Sequence, residues 1–198
     1  MNFLFPFLSA VLQAGSFTLD KAILSLKRIN YKTYVGIGFP LYFFAVLALF
    51  FLVRPPLTLS LLSGRFLWLM IASIVPSIVI NLLYYRALDD DGLGEIETLV
   101  LLQSIPAVLL ASLVFAGERN PLFVLAALIA SLAVFWSHWD GRHFKIHKHT
   151  LPFLLGGFIV APIGIVITKE MLTVWHPISF ELVRSGVVAL FVSLLFLP

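Results

Sequence analysis

The stretch that decides the fold is Tyr34–Val53, YVGIGFPLYFFAVLALFFLV, which runs for 20 residues without a charged side chain. Phenylalanine, leucine and valine supply most of it, and two tyrosine hydroxyls are its only polar side-chain atoms. A helix needs roughly 20 mainly apolar residues to cross a bilayer, because nothing in hydrocarbon can satisfy a free backbone N–H or C=O. The stretch therefore predicts a membrane-spanning α-helix.

Six other apolar segments share this pattern, and polar loops separate them. Hydrophobic residues make up 61% of the chain and charged residues 12%, and the mean hydropathy is +1.05. A soluble domain carries about twice that share of charge. We therefore expect an all-α, polytopic membrane bundle of about seven transmembrane helices, in the inner or plasma membrane. The other six predicted spans are Phe3–Leu19, Phe66–Tyr85, Ile96–Ala116, Pro121–Trp139, Leu151–Thr168 and Ile178–Leu197.

The first segment begins almost at Met1, without a basic region or a small-residue cleavage site. This predicts a retained span and not a removed signal peptide. The chain has no cysteine, which excludes disulfides and thiol chemistry. It also has no basic face interleaved with aromatic residues, so we expect no nucleic-acid partner. Without a Ser/His/Asp set, a His-Glu-x-x-His motif or a phosphate-binding glycine loop, we expect no enzyme and no cofactor.

Histidines cluster at and after the end of the fifth segment, where a metal site has to be considered because imidazole is a common metal ligand. Three basic residues interleave with them, and their repulsion opposes a bound cation. We therefore expect no metal ion and predict a basic linker over residues 140–150. The cluster consists of His138, Asp140, His143, His147 and His149, and the interleaved basic residues are Arg142, Lys145 and Lys148.

The beginning and the end of the chain resemble each other. Lys21-Ala-Ile-Leu-Ser follows the first segment, and Lys169-Glu-Met-Leu-Thr follows the sixth. Pro6-Phe-Leu and Pro152-Phe-Leu lie in the segments before them. Five spans precede the second copy, so that copy would enter the membrane from the opposite side, as in the inverted repeats of transporters. We predict a first repeat over residues 1–139, the linker, and the start of an incomplete second repeat over residues 151–198.

The middle of the chain carries a more specific pattern. Asn81-Leu-Leu-Tyr-Tyr-Arg-Ala-Leu is followed by an apolar span that contains Pro106 and then by Gly117-Glu118. This order resembles the EamA domain of the drug/metabolite transporter superfamily, in which Pro106, Gly117 and Glu118 would be structural. Arg184 matches an arginine that such repeats usually carry in their second helix.

The resemblance implies a ten-helix exporter or exchanger of small metabolites, with a central cavity between two five-helix halves and no use of ATP. Compared with that ten-helix architecture, the chain is expected to be truncated after its seventh helix. A homodimer, or a second chain that supplies the missing helices, is then an expected partner besides the lipid and the small-molecule substrate. The alternative is a membrane subunit that does not transport and packs against a partner chain.

Polar groups at membrane depth are costly, and they tend to face a cavity or a neighbouring helix. Ser73, Ser77 and Asn81 follow each other at i, i+4 and i+8, on one side of the third helix. Each of these residues is also explained by a hydrogen bond between helices. The predicted residues of a substrate cavity are Gln13, Ser77, Asn81, Tyr84, Gln103 and Arg184.

Three further predictions concern charge and tyrosines. Glu97 is a candidate for proton coupling, although negative charge also suits the start of a helix. Glu181 lies three residues before Arg184, so a salt bridge on one helix face is the alternative to anion binding by Arg184. Tyr34 and Tyr85 lie near span ends, where an interfacial aromatic belt explains them first.

The orientation in the membrane is left open by two arguments. Eight of the 13 lysines and arginines fall in the loops after the first, third and fifth segments, and four fall on the other side. The positive-inside rule then places the N-terminus outside. The EamA resemblance implies the opposite, and we favour the orientation of the family.

Overall fold

The computed structural model describes residues 4–26, 29–57, 63–90, 93–137 and 150–196. Within these ranges the chain forms seven α-helices and one short 3-10 turn, so the prediction of an all-helical bundle is confirmed. The helices are α1 (Leu4–Leu24), α2 (Tyr31–Val53), α3 (Gly64–Asp90), α4 (Leu93–Val114), α5 (Pro121–Ser137), α6 (Leu151–Met171) and α7 (Pro177–Phe196), with the turn at Ala116–Glu118 between α4 and α5.

Each predicted apolar segment overlaps one of these helices, and most helices extend beyond their segment. The clearest case is α3, which continues past Tyr85 to Asp90. The carboxylate of Asp89 accepts a hydrogen bond from the backbone N–H of Tyr31 at 3.2 Å. This bond satisfies a free amide at the start of α2, where the first turn has no partner inside its own helix. The polar extension of α3 therefore has a structural use that hydropathy does not show.

Local signals define both ends of α2. The side chain of Asn30 accepts a hydrogen bond from the backbone N–H of Thr33 at 2.9 Å, which caps the first turn. At the other end Arg54 takes a left-handed conformation with φ 51°, and its N–H donates to the carbonyl of Phe50. Pro55 and Pro56 follow, and proline cannot continue the helix because it has no N–H.

Four helices, α2, α3, α6 and α7, are long and apolar enough to cross a membrane. Within the bundle only 17% to 33% of the most apolar window of each helix is buried. The outward surface is therefore rich in large apolar side chains, such as Leu52, which is 80% exposed, and Leu194, which is 76% exposed. Such a surface is suited to contact with lipid, because water does not favour extended apolar patches.

Helices α2 and α7 pack against each other in opposite directions. Val35, near the start of α2, packs with Val188 and Val192 in the second half of α7. Farther along α2, Phe43 approaches Gly186 so closely that a Cβ atom there would lie 3.1 Å from its ring. The absence of a side chain at Gly186 thus brings the two helices together.

The contacts of α6 place it between α3 and α4. It runs opposite to α3: Arg65 at the start of α3 pairs with Glu170 near the end of α6 at 2.7 Å, and Pro76 lies beside Gly164. It runs parallel to α4, because Gln103 contacts Phe153 near the start of α6 and the turn after α4 contacts its end.

Helix α1 runs parallel to α3. The ring of Phe17 lies 5.5 Å from the ring of Tyr84, and one turn later the ammonium of Lys21 donates to the carbonyl of Leu88 at 2.6 Å. Since α3 runs opposite to α6, α1 also runs opposite to α6. The two pairs of helices that the sequence matches to each other, α1 with α6 and α2 with α7, therefore have opposite directions.

The largest buried apolar cluster joins α1, α3, α4 and α6. It fixes the end of α3 that carries the tyrosines, and so it positions one end of the cavity described below. Its fully packed members are Leu24, Tyr84, Ala87, Leu88, Ile96, Leu99, Leu102 and Phe153.

Candidate functional site

A cavity of about 420 Å³ lies between α2, α3 and α7, and α1 contributes one residue to its wall. This volume is within the range of pockets that hold small ligands, roughly 300 to 1,000 Å³. The wall mixes aromatic rings with polar and charged groups. Its polar residues are Ser16, Tyr34, Tyr42, Ser77, Asn81, Tyr85, Glu181, Arg184 and Ser185.

Helical spacing explains how α2 and α3 contribute to this wall. Tyr34 and Tyr42 are separated by two turns of α2, and both line the cavity. Ser77, Asn81 and Tyr85 lie at i, i+4 and i+8 on α3 and line it from the other side. Residues at this spacing share one face of a helix. The predicted polar side of α3 therefore faces the cavity from Ser77 onward.

The charged part of the wall is a pair on α7. A terminal guanidinium nitrogen of Arg184 lies 2.6 Å from one carboxylate oxygen of Glu181. The other oxygen accepts a hydrogen bond from the hydroxyl of Tyr42 at 3.0 Å. The Arg184 guanidinium also lies over the ring of Phe180, 5.3 Å from its centroid. The salt bridge expected as one explanation of Arg184 is present, and it forms part of the cavity wall.

Asn81 and Ser77 are joined along α3. The amide nitrogen of Asn81 donates to the backbone carbonyl of Ser77 at 2.7 Å. This bond fixes the orientation of the amide and uses a donor, so the amide oxygen is left as an acceptor for a ligand.

Beyond the tyrosines lies a buried carboxylate that the sequence analysis did not single out. Asp20, near the end of α1, is 8% exposed. It accepts a hydrogen bond from the hydroxyl of Tyr34, and the hydroxyl of Tyr85 lies near the same carboxylate. The rings of these two tyrosines are 5.2 Å apart. Tyr34 and Tyr85 thus connect a charged group on α1 to the cavity, in addition to any interfacial role.

One sequence signal could have identified Asp20. It is a carboxylate that directly follows the last residue of the predicted apolar span Phe3–Leu19. A charge at that depth requires a partner. The partners lie on α2 and α3, however, and no pattern within α1 indicates them.

A second cavity, of about 520 Å³, lies between α3, α6 and α7. Ser77, Asn81 and Arg184 line both cavities, so these three residues separate them. Lys169 lies on the wall of the second cavity. Its ammonium pairs with Glu118 and lies 4.6 Å from the ring centroid of Phe115.

Three predicted cavity residues lie elsewhere. Gln103 is buried between α4 and α6, where its amide nitrogen donates to the carbonyl of Phe153 at 3.2 Å. Tyr84 is buried in the aromatic cluster beside Phe153, with the ring centroids 5.7 Å apart. Gln13 is exposed on α1. None of the three lines the cavity between α2, α3 and α7. The polar faces of α1 and α4 point to other surroundings, and Tyr84 lies off the face of α3 that carries Ser77, Asn81 and Tyr85.

The remaining predicted residues have these positions. Pro106 lies inside α4. Gly117 and Glu118 form the 3-10 turn after α4, and Glu118 joins that turn to α6 through Lys169. Glu97 belongs to α4, but its side chain lies outside the described residues. The histidine cluster and the predicted linker, apart from Thr150, also lie outside them.

The wall of the cavity therefore combines a charged pair, an amide and several tyrosines within a bundle of apolar helices. This arrangement can hold a small molecule that carries polar or charged groups. No family model, no curated protein and no solved structure matches the chain. The chemistry of the cavity wall is therefore the basis on which a function can be proposed.

Proposed function

We propose that this chain is a multi-pass transporter of the EamA, drug/metabolite type, which moves a small metabolite by secondary transport in the inner or plasma membrane. The observation that carries the proposal is the cavity between α2, α3 and α7. Three of its walls are helices long and apolar enough to span a bilayer. Polar and ionic groups enclosed by such helices are typical of substrate pathways.

The directions of the helices support an inverted repeat. α2 and α7 run in opposite directions, and so do α1 and α6, as expected for two copies that enter the membrane from opposite sides. The cavity lies beside the contact between α2 and α7, and inverted-repeat transporters bind substrate at the interface of their repeats. We propose that all seven helices span the membrane, and that the chain exports its substrate.

Transport is tested most directly with purified full chain in proteoliposomes. Proteoliposomes loaded with a pool of labelled metabolites should release at least one component faster than protein-free vesicles with the same load, and Asn81→Ala should slow that release. Asn81 is chosen because its amide oxygen is available to a ligand. Thr18→Ala is the matched control, since Thr18 is exposed on α1 and donates only to the carbonyl of Ala14 in its own helix. Equal release from the proteoliposomes and from the protein-free vesicles would contradict the proposal.

One observation favours a second candidate, a membrane subunit that packs against another chain. The outward face of α1 is apolar, with Phe7 68% exposed and Leu12 65% exposed, yet it carries the exposed amide of Gln13. An amide in contact with lipid is costly, and an amide between helices is stabilising. A second copy or another chain on α1 would satisfy it. Crosslinking of Gln13→Cys in native membranes tests this candidate, and a product that is monomeric only would argue against it.

A further inference from the structure

We infer that the ligand of this cavity is a small zwitterion, a molecule that carries one anionic and one cationic group. The inference rests on the proposed function in one respect, namely that the cavity is a ligand site. It deepens that proposal by naming the class of substrate. The charged groups of α7 that line the cavity provide the basis for it.

The first step is the accessibility of the ion pair. Arg184 and Glu181 line the cavity, and their side chains keep 24% and 21% exposure. The pair uses one terminal nitrogen of the guanidinium, which has five N–H donors in all. A ligand in the cavity can therefore reach Arg184 without first breaking the contact with Glu181.

The second step is charge balance. Arg184 and Glu181 neutralise each other, and an unpaired charge is costly where water is scarce. A lone anion beside Arg184 would give the site a net negative charge, and a lone cation beside Glu181 would give it a net positive charge. A zwitterion places an opposite charge beside each side chain, so the site stays neutral.

The third step concerns the charges around the cavity. Lys169, on the neighbouring cavity, is neutralised by Glu118. Asp20 accepts a hydrogen bond from Tyr34 and lies behind that tyrosine. Neither Lys169 nor Asp20 belongs to the wall of the cavity, and the charged residues of that wall are Arg184 and Glu181. These two side chains therefore decide the preferred charge of the ligand.

The remaining residues of the cavity wall indicate the chemistry of the uncharged part of the ligand. Rings of Phe39, Tyr42 and Tyr85 line the cavity together with Val188. These groups suit an apolar chain or ring attached to the charged groups. A cavity of about 420 Å³ has room for a small metabolite.

The test measures binding to the purified full chain in lipid nanodiscs by isothermal titration. It uses two sets of probes, in which one zwitterion is compared with analogues that lack one charge. The first set is leucine, 4-methylpentanoate and 3-methylbutylamine, and the second is γ-aminobutyrate, butanoate and butylamine. We expect the zwitterion of at least one set to bind about tenfold more tightly than both analogues, as the loss of one charge-assisted contact predicts. No preference for a zwitterion in either set overturns the inference.

Two variants separate this role from a structural one. Glu181→Gln keeps the shape of the side chain and should shift the preference to the anionic analogue. Arg184→Gln should shift it to the amine. A purely structural ion pair would lower stability in both variants without reversing the preference. If a single variant fails to fold, the double variant Glu181→Gln/Arg184→Gln restores a neutral pair. It should lose the preference for a zwitterion altogether. Retention of that preference would contradict the inference.

Flux measurements keep the inference distinct from the proposed function. Release of a singly charged or uncharged solute, sensitive to Asn81→Ala, would support transport and refute the zwitterion. Binding of a zwitterion without flux in proteoliposomes would support the assigned ligand class and refute transport.

Discussion

Arg184 and Glu181 lie one turn apart on α7, with 2.6 Å between guanidinium and carboxylate, and both face the same cavity. A residue pair that the sequence explains as an internal salt bridge is therefore part of the surface that a ligand would meet. Tyr42 extends the pair to α2, because its hydroxyl donates to Glu181 at 3.0 Å. The side chains of Tyr42 and Glu181 therefore belong both to the contact between α2 and α7 and to the polar wall of the cavity.

The first prediction concerns transport by Arg184→Gln. This substitution removes the cation from the wall while keeping a polar side chain of moderate length. We expect flux of the substrate through proteoliposomes to fall roughly tenfold to hundredfold, which corresponds to the loss of one charge-assisted interaction. Thr18→Ala, on the exposed side of α1, should retain the parental rate. A rate for Arg184→Gln equal to that of the control would remove Arg184 from the transport site.

The second prediction concerns access of water to the cavity. The chain has no cysteine, so a single introduced thiol can be followed without background. Ser77→Cys places a thiol in the cavity wall, and Val79→Cys places one on the outward side of α3. A hydrophilic thiosulfonate reagent should label position 77 at least about tenfold faster, because the reactive thiolate needs a polar surrounding. Equal labelling rates would show that the cavity is closed to water.

The third prediction concerns the buried carboxylate of α1. Tyr34→Phe keeps the aromatic ring and removes the hydroxyl that donates to Asp20. Leaving a buried carboxylate without this donor should lower the free energy of unfolding by about 1 to 3 kcal/mol. Unfolding in mixed micelles measures the change. Tyr31→Phe is the control, since Tyr31 meets Asp89 through its backbone N–H and not through its hydroxyl. Equal stability of both variants would argue against a role for the Asp20 contact.

The fourth prediction concerns the contact between α4 and α6. A Cβ atom at Gly157 would overlap the side chain of Gln103, which must then move and give up its bond to the carbonyl of Phe153. We expect Gly157→Ala to lower the free energy of unfolding by about 1 to 3 kcal/mol, as other overpacked sites do. Gly15→Ala is the matched control, because nothing lies within 4 Å of a Cβ atom there.

A second substitution checks the cause of that effect. Gln103→Ala combined with Gly157→Ala makes room for the new methyl group. The loss in the double variant should therefore be smaller than the sum of the two single losses, since the two residues are in contact. Additive losses would show that Gly157→Ala acts in another way.

Local patterns account for the parts of the site that the sequence could predict. Ser77 and Asn81 share a face of α3 because helical periodicity places residues four apart on one side. Arg184 and Glu181 pair because they are three residues apart on one helix. Each of these relationships lies within a single helix, so no knowledge of the packing is needed to predict it.

Packing decided the parts that the sequence could not predict. Gln103 is as polar as Asn81, but α4 turns it toward Gly157 and Phe153, where it joins two helices. The position of Tyr34 near a span end indicates an interfacial role, yet its hydroxyl donates a hydrogen bond to Asp20 on α1. A polar side chain inside a membrane bundle can face a cavity or a neighbouring helix, and the sequence of its own helix is compatible with both orientations.

The sequence by itself determined that the described part of the chain is all-helical and that α2, α3, α6 and α7 are long and apolar enough to cross a bilayer. Hydrophobic composition and the length of each segment suffice for that, because backbone groups in hydrocarbon must be satisfied within their own helix. Only the tertiary structure decided which polar side chains meet. Asp20 and Tyr34 lie on consecutive helices, whereas Tyr42 and Glu181 lie on helices that are far apart along the chain. Both contacts depend on the rotation of each helix and on close approaches such as that of Gly186 to Phe43. Rotation and spacing are set by packing between helices, which no single segment encodes.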